Sequence, residues 1–208
     1  MKVLLINGSN KKQGCTHTAL SEVAKILNRE NIETEIIQLG STPIRDCTGC
    51  RYCRQNEGKC VYNDDMVNEV IEKAKNSDGF IFGSPVYYAH PSGRLLSFLD
   101  RLFYAGSSAF AFKPGAAVVS ARRAGTTASI DAITKHFTIN KMPVISSNYW
   151  NMVHGNTPEE VLQDKEGLQI MRTLGENMAW ILKCIEAGKN AGIKTPETEP
   201  KIMTNFIR

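Results

Sequence analysis

Four cysteines, Cys47, Cys50, Cys53 and Cys60, follow one another as C-x2-C-x2-C-x6-C. Thiolates are soft metal ligands and redox-active groups, so four in one loop point first to metal or redox chemistry. A [4Fe–4S] cluster takes four thiolates, and two-residue gaps let a single loop wrap several of its corners. Gly49 and Gly58 give that loop freedom to bend back. Zinc more usually takes two C-x2-C pairs separated by a longer spacer. A disulfide with spare thiols, or four reduced thiols without metal, also suits the spacing, and these alternatives stay open here. Cys184, among Ile181, Leu182 and Ile185 on a helical pattern, reads as core packing. Trp180 and the methionines around it read the same way. His17, His90, His136 and His154 are dispersed without metal spacing, and each reads as a surface or satisfied histidine.

The rest of the chain must position that loop. With 208 residues and a 42% hydrophobic share, it is expected to bury one core in one domain. The net charge of +4 is spread without a block of like charges. That argues against nucleic-acid and membrane partners. No apolar run approaches the roughly 18 residues of a spanning helix. The opening MKVLLINGSN lacks the longer apolar stretch and cleavage site of a signal peptide. A cytoplasmic protein is therefore expected, where disulfides are rare and thiols serve chemistry.

Strand-length apolar runs alternate with helical patterns. Strands are expected at 2–6, 33–39, 79–83, 115–121 and 143–146. Between them, apolar residues repeat at helical spacing over 16–28, 66–74, 93–104 and 126–137. A long helical stretch over 158–187 is expected to break near Gly175. Asp64 and Asp65 offer an N-cap to the second helix. Such alternation implies a parallel sheet with helices on both faces, an α/β domain. The domain spans 1–190 with a cysteine-rich insert at 46–62, and 191–208 is a polar tail, loose or laid on a partner subunit.

In such sheets, ligands sit beyond the carboxyl ends of the strands. The loop after strand one, GSNKKQGCT, has neither the dinucleotide fingerprint nor a Walker closure. It offers hydroxyls, lysines and a helix N-terminus, where free N–H groups favour a phosphate; an ordinary strand–helix turn is the plainer alternative. The loop after strand three, SPVYYAHPSG, is stiffened by its prolines and could face a flat aromatic ligand or cover the core rim. After strand four, Arg122 and Arg123 read as solvated or as facing an anionic ring, and Gly125 permits a tight turn.

The pieces GSNKKQGCTHTAL, the cysteine loop, DDM, and GSPVYY with SGRLLSFLDRL resemble the flavodoxin-like NAD(P)H-dependent FMN reductases. Within them, the compact cysteine motif is similar to that of the iron–sulfur flavoproteins. The resemblance implies a flavodoxin-like doubly wound sheet of five parallel strands in the order 2-1-3-4-5, and bound FMN. It implies that Ser9, Lys11, Cys15 and Thr16 hold the phosphate. Pro85, Val86, Tyr87 and Tyr88 would border the isoalloxazine, with Ser120 and Gly125 on its other side. Many relatives carry Asn where this chain has Cys15, and a thiol at a helix N-terminus is expected to ionise more readily than usual. Tyr149, Trp150 and His154 would roof a flavin or form an interface. Cys47, Cys50, Cys53 and Cys60 would hold a [4Fe–4S] cluster. The implied activity passes electrons from NAD(P)H or ferredoxin to a small acceptor such as a quinone, an oxygen species or free flavin. A flavodoxin-type carrier without turnover and a thiol or metal redox sensor are the alternatives, the latter lacking any DNA-reading motif. Relatives imply a homodimer or homotetramer.

Overall fold

Residues 1–204 and 206 are described by the computed structural model. The strands are β1 (Lys2–Asn7), β2 (Glu33–Gln38), β3 (Gly79–Tyr87), β4 (His90–Pro91), β5 (Gly115–Ala121) and β6 (Met152–His154). The helices are α1 (Cys15–Arg29), α2 (Tyr52–Gln55), α3 (Val67–Lys75), α4 (Gly93–Gly106), α5 (Thr126–Ile139), α6 (Pro158–Val161) and α7 (Lys165–Asn190). β1 pairs in parallel with β2 and β3, β3 with β5, and β5 with β6. The path β2-β1-β3-β5-β6 is the expected order of five parallel strands with one addition. The addition is β4, two residues folded back antiparallel on the end of β3.

Successive strand residues point to opposite faces, and here both faces are covered, so the strands read as nearly continuous apolar runs. Leu4, Ile6, Phe80, Phe82, Ala117 and Val119 pack with α3, α4 and α5. Val3, Leu5, Ile81, Ala116 and Val118 pack with α1 and α7. Among the described residues, no helix is long and apolar enough to cross a membrane.

Four expectations need correction. The fifth strand is not 143–146. Val144 makes only an isolated bridge to Gly115, flanked by bonds from Gly115 N–H to Pro143 O and from Ile145 N–H to Gly115 O. The chain then leaves the edge through 147–150 and returns at Asn151, whose carbonyl accepts from Val119 N–H, to form β6. Residues 143–146 carry the β-branched signal, but the register is recovered only after the excursion. The long helix breaks before Asp164, which caps α7 through Oδ1 to Gly167 N–H, and not at Gly175. Gly175 sits within α7 against Ile26 of α1. Cys184 is exposed, and Trp180 is 67% exposed. Both lie on the outer face of α7, because its inner face is already filled by Met178, Ala179 and Leu182. The expected tail begins where α7 ends; it includes residues 205, 207 and 208, which lie outside the described residues.

Candidate functional site

The C-terminal edge of the sheet gathers the loops after β1, β3, β5 and β6. After β1, the loop is held from within. Asn7 is fully buried; its Oδ1 accepts from Ser9 N–H at 3.1 Å, and its Nδ2 donates to Gln38 Oε1 at 2.6 Å. Gln38, the last residue of β2, donates to Ser9 O at 2.5 Å. Ser9 Oγ accepts from Lys11 N–H, which leaves its own proton free to donate elsewhere. α1 then starts at Cys15 from an extended Gly14, with no side chain capping its first amides and no acid in its first turn. Uncapped N–H groups at the positive end of a helix are suited to a phosphate.

Thr16 is buried, and its Oγ1 lies 2.8 Å from Ser120 Oγ at the end of β5. This bond ties the first loop to the fourth parallel strand. Cys15 Sγ donates to Gly155 O at 3.6 Å, bringing in the loop after β6. Burial pushes the Cys15 thiol above its ordinary range, outweighing the lowering by its own backbone N–H and Lys11. The expected easier ionisation is therefore reversed: desolvation of a thiolate exceeds the helix-end attraction.

β3 runs on to Tyr87 and turns through Tyr88 and Ala89, both in left-handed backbone (φ 50° and 59°), into β4. Two positive-φ residues make the tight hairpin turn that matches strand twist. Pro85 and Val86 are half-buried, whereas Tyr87 and Tyr88 stand exposed at the tip. Ser92 clamps this hairpin to the first loop. Its N–H donates to Ser84 Oγ, its Oγ donates to Gly8 O at 2.9 Å, and the same Oγ caps α4 by accepting from Leu95 N–H. Gly125, at φ 91°, lies against the hairpin tip, where a Cβ would collide with Ala89 and come within 2.9 Å of Val86 Cγ1. The residues expected around a flavin thus fall into two groups tied together through Ser92 and Gly8: Ser9, Lys11, Cys15, Thr16 and Ser120 in one, Pro85 to Tyr88 and Gly125 in the other. Arg122 and Arg123 are exposed.

The cysteine loop forms a concavity. Cys47, Cys50, Cys53 and Cys60 all line one pocket, walled by Tyr62, Arg101, Tyr104 and Ala105. Gly49, Arg51, Glu57 and Gly58 adopt left-handed backbone in this loop. Gly58 is required: a Cβ there would lie 2.9 Å from Ala105 O. Every cysteine is a free thiol. Burial, reinforced by the other three cysteines, pushes the Cys53 thiol up. Among the described residues, no three Cys, His, Asp or Glu side chains are gathered closely enough to hold a single metal ion. A tetrahedral zinc, with sulfurs about 2.3 Å away, needs them within roughly 4 Å of one another.

Sequence reasoning missed the side chains that hold these loops. Asn68 accepts from Cys60 N–H at 2.8 Å and donates to Cys60 O and Tyr62 O. Arg101 is fully buried and donates through Nε to Cys60 Sγ at 3.2 Å. A charged residue on the inward face of a helix was the available signal.

The family model described as NADPH-dependent FMN reductase matches residues 1–157. The chain is 35% identical over 194 residues to an iron-sulfur flavoprotein of Methanocaldococcus jannaschii, covering 89% of this chain and 100% of that one. It superposes on RosB, solved with bound 8-demethyl-8-formylriboflavin-5'-phosphate, with a TM-score of 0.72 at 15% identity, over 100% of this chain and 92% of that one. A flavodoxin from the domain Archaea superposes with a TM-score of 0.59 at 16% identity, over 88% and 99%. The fold is flavodoxin-like.

Proposed function

The chain belongs to the NADPH-dependent FMN reductase family, and from that premise we propose that it carries both FMN and an iron–sulfur cluster. In this reading it passes electrons from NAD(P)H or ferredoxin to a small acceptor, as a homodimer or homotetramer. The observation that carries the cluster is the pocket lined by all four cysteines of the C-x2-C-x2-C-x6-C loop. Its support is the M. jannaschii relative, whose name is iron-sulfur flavoprotein. FMN exchanges electrons in pairs or singly and a cluster exchanges them singly, so together they convert between the two kinds of carrier.

The chain's own residues do the positioning. The uncapped amides of α1, with the Ser9 and Thr16 hydroxyls and Lys11, hold the phosphate. A neutral Cys15 thiol sits beside that dianion without repelling it. The hairpin of Pro85 to Tyr88, braced by Gly125, borders the ring. No side chain here is asked to act as nucleophile or general acid.

Anaerobic purification, reconstitution with iron and sulfide, an absorption spectrum and an iron assay test the reading. Flavin bands are expected together with iron matching one four-iron cluster per chain, and flavin bleaching on addition of NADPH or NADH, or of reduced ferredoxin. Cys50→Ala should lose the iron and keep the flavin. A protein that binds no FMN overturns the flavin site; one that binds FMN but no iron overturns the cluster alone.

A further inference from the structure

An arginine with no exposed side-chain surface needs a reason, because removing a charge from water is costly unless every donor finds a partner. Arg101 on α4 places all three of its nitrogens against partners in residues 45–65, the segment that carries the cysteines. Nη1 pairs with the carboxylate of Asp65 and donates to Arg45 O, and Nη2 donates to Tyr62 O at 3.2 Å. The Tyr62 ring centroid lies 5.2 Å from its Cζ. These contacts are enough to balance the charge and pin the loop. Nε points elsewhere, at Cys60 Sγ at 3.2 Å. A neutral thiol is a weak acceptor, whereas a metal-bound thiolate is a strong one. Asn68 meanwhile grips Cys60 at both its N–H and its C=O. Among the described residues, Cys47 and Cys50 have no such anchorage, and the Cys53 carbonyl accepts only from Gly58 N–H within the loop, at 3.1 Å. The Cys53 thiol donates to Tyr104 O at 3.8 Å.

We propose that Arg101 is a positioning residue for the cysteine site. It fixes the Cys60 sulfur as the preset corner of the four-cysteine site, and it donates an N–H···S bond to that sulfur when a cluster is bound. The inference rests on the cluster reading above. Hydrogen bonds to ligating sulfur raise a cluster's reduction potential, and loss of such outer partners typically weakens metal binding about 10- to 100-fold. Arg101 therefore makes the cluster a better electron acceptor and slows its loss. Asp65, whose negative charge faces the same guanidinium, acts in the opposite sense.

The test compares Arg101→Gln with Asp65→Asn in anaerobically reconstituted holoprotein, with bound FMN as the check on folding. Arg101→Gln should lower the cluster potential and release iron to a chelator roughly 10- to 100-fold more readily, and Arg101→Lys should restore part of both. Asp65→Asn should raise the potential. Shifts of the same sign in both variants mean only a loosened loop and overturn the proposal, as does a wild-type potential in Arg101→Gln. In the metal-free protein, the Arg101 Nε–H should give a slowly exchanging resonance that moves on Cys60→Ala; an unmoved resonance also overturns it. A wild-type protein that assembles no cluster refutes the cluster reading itself, which is a different result from a wild-type cluster indifferent to Arg101.

Discussion

Thr16→Val removes one hydroxyl and almost no volume, at a residue that is 1% exposed. Its partner, Ser120 Oγ, is also buried and 2.8 Å away. The variant leaves the Ser120 hydroxyl in the interior without that partner, which costs about 1–3 kcal/mol. For a chain of this size that lowers Tm by roughly 2–12 °C. Ser120→Ala should cost a similar amount by orphaning Thr16. The double variant orphans neither, so it should be more stable than the sum of the single losses predicts, with a coupling of about 0.5–3 kcal/mol. Thermal unfolding of the four apoproteins measures the cycle. Strict additivity would refute the bridge between the first loop and β5. The same proteins titrated with FMN, followed by quenching of flavin fluorescence, test the phosphate role. A charged hydrogen bond contributes about 1.5–3 kcal/mol, so Thr16→Val should bind FMN roughly 10- to 100-fold more weakly. Ser120→Ala, which leaves the Ser9, Lys11 and Thr16 side chains and the α1 amides in place, should lose much less. Unchanged affinity in Thr16→Val would remove Thr16 from the phosphate site whatever its stability.

Gly125→Ala places a side chain at φ 91° and against Ala89. It should cost about 1–3 kcal/mol by thermal unfolding, whereas Gly93→Ala, where a Cβ meets open space, should cost nothing; equal losses would show that the hairpin contact is unimportant. Glu35 is bracketed by Lys73 Nζ at 2.5 Å and Lys2 Nζ at 2.9 Å. Those bonds hold its carboxyl below the usual 4.5. A depressed folded pKa gives stability that is complete above about pH 4.5 and vanishes as pH falls through the folded value. Glu35→Gln should therefore be less stable by about 0.5–1 kcal/mol near neutrality, because the pair is partly solvent-screened. Urea midpoints of the two proteins should converge on acidification, and a gap that persists into strong acid counts against the pairing.

How far the sequence could be read depends on what each segment encodes locally. β1, β5 and the helices α1, α4 and α5 announce themselves, because continuous apolar runs and 3.6-residue periodicity are local patterns. The edge strand does not. Its pairing is split by the excursion through 147–150, and only contact with β5 decides which piece keeps register. The cysteines were legible because their spacing is itself the signal. The clamps were not: Asn7 and Gln38 are 31 residues apart, and Arg101 and Cys60 are 41 apart. Such bonds exist only once the chain has folded. Burial likewise reverses the expectation for Cys15, whose helix-end position is local but whose desolvation is not.

One element connects the two candidate centres. α4 begins at Ser92, which holds the hairpin and the first loop together through Ser84 and Gly8. The same helix carries Arg101 and Tyr104 into the wall of the cysteine pocket. Nine residues separate Ser92 from Arg101, about 14 Å along a helix axis. Between them, Leu95, Phe98 and Leu99 are buried without exposed surface, so the helix cannot slide or tilt without disturbing the aromatic core of Phe80, Phe82 and Phe103. The packing of α4 therefore fixes the distance between its N-terminal clamp at Ser92 and the cysteine wall at Arg101. The coil of the cysteine insert has no comparable anchor in the sheet. α4 sets the separation of the two centres, and the insert adapts to it through Arg101 and Asn68.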